Sequence, residues 1–102
     1  MMAETMTAEN MLKDIYQADA ELRWFEQKYG LLSETFYRMY QHGQLRDEDP
    51  DEIQEYVEWA GWYEIHQERF QRYNHAIEQR LQAVSLPLSL SDLHISQLKI
   101  PA

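Results

Sequence analysis

The sequence predicts an all-α protein: two long amphipathic helices and one short helix, coiled-coil-like packing, and an extended C-terminal tail. Three observations carry this. Tyr56, Tyr63, Phe70, Ile77 and Val84 recur every seven residues, with Ile53, Ala60, Gln67, Asn74 and Leu81 in a parallel row. Met11, Ile15, Ala18, Leu22, Phe25 and Tyr29 form a second stripe, at alternating spacings of four and three. Helix-start and helix-stop residues bracket both stretches. Rows of this kind make the apolar seam of helices that pack lengthwise on one another.

Each element has its local reason. Residues 1–6 read as a frayed start. Thr7 is an N-cap for the first stripe, and Gly30 supplies its stop. Trp24 falls off this stripe and suits contact with a third element or a partner. Ser33 is placed to cap a short helix, with Leu32 positioned to staple onto Tyr37. Phe36, Tyr37, Met39 and Tyr40 load that helix with bulk, and Gly43 ends it. Residues 44–49 form an acidic connector. Asp49 then N-caps the long helix, Pro50 suits its first position, and Asp51 and Glu52 complement the helix dipole. Asp49 and Glu52 also have capping-box spacing.

The long helix, Pro50 to about Val84, sets a problem of size. At 1.5 Å per residue it is a rod of roughly 50 Å. A compact monomer of this length has a radius of gyration of about 13 Å and a diameter of about 34 Å. Either the helix bends, with Gly61 the weakest point, or its overhang is covered by a second subunit or partner. The second outcome is expected. Gln67 and Asn74 are polar within an apolar row; they face solvent or fix the register of a helix pairing.

After Val84 the pattern changes, so residues 1–84 read as a helical domain and 85–102 as an extended apolar tail. Ser85 to Ser91 alternates in an extended period and Pro87 forbids helix there. Leu93, Ile95, Leu98 and Ile100 continue the apolar theme. Such a tail either folds back over its own helices or lies on a partner, in a groove or as an added strand.

Composition narrows the function classes. The chain has 102 residues, no cysteine and a net charge of −9. One domain with a modest core follows from the length. The missing cysteines exclude disulfides and thiolate chemistry and fit the cytoplasm. No apolar run suits a membrane span, and the acidic start lacks the order of a signal peptide. The net charge argues against gripping nucleic acid unaided. Asp47, Glu48, Asp49, Asp51, Glu52, Glu55 and Glu58 lie within twelve residues that hold no base. They form either a solvated helix start or an acidic face that docks on a basic partner.

Catalytic and metal signatures are thin. His42, His66, His75 and His94 show no i, i+4 pair and no His-Glu-x-x-His, so no metal and no cofactor is expected. Arg69 and His75 have the Arg-x5-His spacing of HEPN-type ribonucleases, in which a cation and a proton shuttle act on an RNA phosphate. Here Phe70 follows the Arg, where that family prefers a polar residue. The turn at Gly30 suggests a DNA-reading helix-turn-helix, but the helix after it carries Glu34 and only Arg38 as a base. Serines 85, 89, 91 and 96 sit in the tail, outside any triad.

The middle of the chain carries an ordered series. Lys28-Tyr29-Gly30 is followed by Ser33-Glu34, Phe36-Tyr37-Arg38 and Tyr40-Gln41, then Gly43 and Leu45, then Glu58-Trp59-Ala60 and Tyr63-Glu64. Over about residues 22–70 this resembles small helical antitoxin-like proteins of prokaryotic type II toxin–antitoxin operons, the partners of TumE-type toxins. The resemblance implies a non-enzymatic protein that binds a cognate, ribonuclease-like toxin and covers its active surface. The expected contact residues are Asp47, Asp51, Glu55 and Glu58 of the acidic run, together with Trp59 and Trp62, one of which is expected in the core and the other exposed. Leu93, Ile95, Leu98 and Ile100 of the tail complete the set. The alternatives are a self-associating helical scaffold, a homodimer without a toxin, and the HEPN-like ribonuclease.

Overall fold

The computed structural model describes residues 5–101. The frayed start expected for residues 1–6 therefore lies largely outside the described residues, and Met6 is paired. In chain order the elements are β1 (Met6–Thr7), α1 (Ala8–Tyr29), α2 (Ser33–Gln41), α3 (Pro50–Gln82), α4 (Leu90–Leu93), a 3₁₀ turn (Ile95–Gln97) and β2 (Lys99–Ile100). The protein is all-α, its sheet being two residues deep.

The start of α1 follows local chemistry. Thr7 Oγ1 accepts from the Asn10 amide at 3.2 Å. Gly30, at φ 67°, donates its N–H to the Glu26 carbonyl and turns the chain. Met11, Ile15, Ala18, Leu22 and Phe25 are all buried, as the stripe requires.

The start of α2 departs from expectation. Ser33 is the first helical residue and Leu32 occupies the cap position without a side-chain bond. The capping acceptor comes from another helix: Glu26 Oε2 accepts from the Ser33 amide at 2.9 Å and from its hydroxyl at 2.7 Å. A carboxylate at this end also suits the dipole of α2. Leu32 is 69% exposed and staples nothing, whereas Leu31 and Phe36, at the shifted staple positions, both join the core.

α3 begins as read, with Asp49 Oδ1 accepting from the Asp51 amide at 2.9 Å and Pro50 in the first turn. It runs unbroken for 33 residues through Gly61, so the expected bend site is ordinary helix. The molecule measures 55 × 34 × 21 Å, with a radius of gyration of 17.3 Å, which is long for its mass.

Three polar contacts mark the antiparallel register of α1 on α3: ion pairs of Lys28 with Glu55 at 2.7 Å and of Asp14 with Arg69 at 3.2 Å, and between them His66 Nε2 at 2.9 Å from Asp19 Oδ1. The polar pair in the heptad row does not perform this task, since Asn74 is exposed and Gln67 borders a cavity.

Two core clusters lie along the rod. The first, around Trp59, joins Leu22, Phe25, Phe36 and Ala60. The Trp59 indole stacks on Phe36 at 3.8 Å, and on Phe25 and Tyr29 at 5.5 and 5.6 Å. The second joins Ala8, Met11, Ile15 and Ile100, with Tyr73, Ala76, Ile95 and Leu98 against it.

That second cluster decides the fate of the tail. Met6 pairs with Ile100 and Thr7 with Lys99, antiparallel, and the Ala8 amide donates to the Leu98 carbonyl at 2.8 Å. The segment does add a strand to an edge, but the edge belongs to its own chain. It is neither extended throughout nor separate from the helical body. α4 and the 3₁₀ turn shape it, and it covers the first turns of α1.

Candidate interaction surface

The acidic run divides by what each carboxylate already does. Glu55 is held by Lys28 and also accepts from the Tyr29 hydroxyl at 3.2 Å. Burial, followed by that bond to Glu55, pushes Tyr29 up to about 12. Glu52 accepts from the Tyr56 hydroxyl at 3.2 Å; burial, then the Glu52 charge, raises Tyr56 as well. Asp49 caps the helix. Asp47, Glu48, Asp51 and Glu58 are exposed, and among the described residues none has a basic side chain within ion-pair distance. Of the four acids expected at a partner contact, Asp47, Asp51 and Glu58 thus keep their charge without an ionic partner, Glu58 accepting from Gln54 Nε2 at 3.1 Å, while Glu55 is committed to α1.

The tryptophans resolve unevenly. Trp59 is 1% exposed and belongs to the core, so it is not a contact residue in this fold. Trp62 is half-buried against the same cluster. The most exposed indole is Trp24, at 54%, with Lys28 Nζ 5.2 Å from its ring. It is the residue that fell off the stripe of α1.

The four tail residues do not join the acids. Leu93 and Ile100 are buried, and Ile95 and Leu98 are partly buried against the first turns of α1, towards the opposite end of α3 from the acidic run. Leu93 and Ile100 thus spend their apolar surface within the chain, while Ile95 and Leu98 keep part of theirs in water. Ten residues expected to act together therefore split between two ends of a long molecule.

What lies beside the free carboxylates is a cleft of about 140 Å³, where the end of α2, the connector and the first turns of α3 meet. Tyr40, Leu45, Ile53, Tyr56 and Val57 give it apolar walls, and Arg46 and Asp47 stand at its edge. Tyr40 is 38% and Val57 54% exposed. Val57 fits neither apolar row of α3, and an apolar residue off both rows is the one signal of it in the sequence. Gly43, at φ 65°, makes the turn that brings Leu45 back beside Tyr40.

Compared with protein-family models, curated proteins and solved structures, the chain matches none. The geometry of its own residues carries the functional argument.

A second cavity, of about 280 Å³, opens where the start of α2 meets α1 and α3. Its charges are mixed: Arg23 stands with Asp19, Glu26 and Glu34, and His66 is bonded to Asp19. Past this cavity Phe70, stacked on His66, is left half exposed.

Arg69 is engaged by Glu68 and Asp14, and the bond to Glu68 raises its affinity for the proton further. His75 is exposed, six residues on and about 120° further round the helix. Among the described residues no group of three or more His, Cys, Asp or Glu side chains is arranged to hold a metal, and no helix is long and apolar enough to cross a membrane.

Proposed function

We infer that this protein is an antitoxin-like binding protein, which neutralises a small, basic, ribonuclease-like toxin in the cytoplasm by covering its active surface and does so without catalysis. The observation that carries the reading is the set of exposed, unpaired carboxylates at Asp47, Glu48, Asp51 and Glu58, beside exposed apolar side chains on a chain of net charge −9. A protein that handles RNA presents Lys and Arg to phosphate. Such a surface and this one attract over a Debye length, which raises the rate of encounter. Tyr40, Val57 and Trp24 then supply apolar area. A specific complex of this kind buries about 1,600 Å² in total. The tail lends no support, since it is used internally.

The test is co-expression with the protein encoded by the neighbouring gene. The reading expects that protein to arrest growth alone, and to co-purify with this chain when growth is restored. A harmless neighbour, or one that does not co-purify, overturns it.

A second reading, self-association without a toxin, is favoured by one feature. Phe70 stacks on His66, His66 bonds Asp19, and Tyr16 stands one turn from Asp19 with most of its ring in water. Light scattering separates the two: a stable dimer broken by Phe70→Glu supports the scaffold.

A further inference from the structure

We propose that the cleft between the end of α2 and the start of α3 is an anchor pocket, which takes one aliphatic side chain from a partner segment carrying Lys or Arg on either side of it. The proposal rests on the toxin-binding reading and names the chemistry by which the partner is gripped.

Size is the first argument. Pockets for free small molecules enclose about 300–1,000 Å³, and this cleft encloses about 140 Å³. It suits a side chain. The second is the character of its walls. Tyr40, Leu45, Ile53 and Val57 come from three different segments, so the cleft is built by the fold and not by one helix face. Two of those residues keep over a third of their surface in water although a core lies close by. An apolar group seated there would remove that surface from water.

The third argument is charge. Asp47 stands on the rim, and Glu48, Asp51 and Glu58 lie in the adjoining connector and first turns of α3, without ionic partners among the described residues. Arg46 is the one base between Leu45 and Glu58. The rim therefore attracts cations and repels a second copy of this chain, which brings the same acids. An aliphatic anchor between basic residues satisfies both features, in the way interfaces set an apolar centre inside a polar rim.

The experiment uses the full chain and two synthetic peptides, acetyl-Lys-Arg-Leu-Arg-Lys-amide and the same peptide with Gly at its centre, followed by amide chemical shifts. The Leu peptide is expected to bind about tenfold more tightly than the Gly peptide, with shifts centred on Gly43, Leu45, Ile53 and Val57. Val57→Lys, at an exposed position and with its fold checked by circular dichroism, is expected to abolish the difference. Equal binding of the two peptides, or shifts centred on the cavity at Arg23 and His66, overturns the anchor. So does a Val57→Lys chain that still prefers Leu. The toxin complex separates the two levels of the argument. A complex untouched by Val57→Lys removes the anchor and leaves the toxin reading standing. Leu preference without any toxin complex does the reverse.

Discussion

Trp59 donates its indole N–H to Ser33 Oγ at 2.9 Å, and the same hydroxyl donates to Glu26 Oε2 at 2.7 Å. One short relay thus ties α3 to α2 and α2 to α1 inside the aromatic stack. Ser33→Ala leaves the Trp59 N–H buried without an acceptor and should cost about 1–3 kcal/mol. Urea unfolding measures this. A cost near zero would mean that water reaches the indole.

Gly61 lies in the interior of a continuous helix, and a Cβ added there meets nothing within 4 Å. Gly61→Ala should therefore stabilise the protein by about 1 kcal/mol through helix propensity alone. Thermal unfolding checks it. Destabilisation would show that the glycine serves a bend or a close approach.

Ile100 has no exposed surface and closes the cluster of Ala8, Met11 and Ile15. Ile100→Ala should cost about 2–5 kcal/mol in the isolated chain. If the tail were a free arm awaiting a partner, the substitution would leave stability unchanged.

Tyr29 should give the fold a pH limit. Its ordinary value of 10.0 is pushed up to about 12, chiefly by burial and then by Glu55. The folded state therefore keeps a proton that the unfolded chain loses first. The contribution is complete below about pH 10 and disappears as pH rises through about 12. Tyr37, Tyr56 and Tyr63 are raised as well, so a phenolate absorbance titration should show several late-titrating rings, one fewer in Tyr29→Phe, whose loss of stability over that range is correspondingly shallower.

What could be read from the sequence was what is decided locally. Thr7, Gly30 and the Asp49-Pro50 start place their helix ends by chemistry within a few residues of themselves, and they stand where the pattern put them. The start of α2 was misplaced by one residue because its cap acceptor is Glu26, on another helix. The alternating tail shows that it must be covered, but not by what: burying Ile100 depends on Ala8, Met11 and Ile15 of α1, which are distant in sequence. The acidic run was plain, while its division into held and free carboxylates needed Lys28 and two tyrosine hydroxyls in place. Val57 gained meaning only when Tyr40 and Leu45 were brought beside it.

On the toxin-binding reading, carboxylates without ionic partners at one end of this rod draw in a basic toxin. This is tested most directly by the rate of association with the neighbouring gene's product, measured across ionic strength for the native chain and for an Asp47→Asn, Asp51→Asn, Glu58→Gln variant. The native rate should fall about tenfold or more between low and physiological salt, and the variant should show a slower, flatter dependence. A native rate indifferent to salt, or equal to that of the variant throughout, would contradict it.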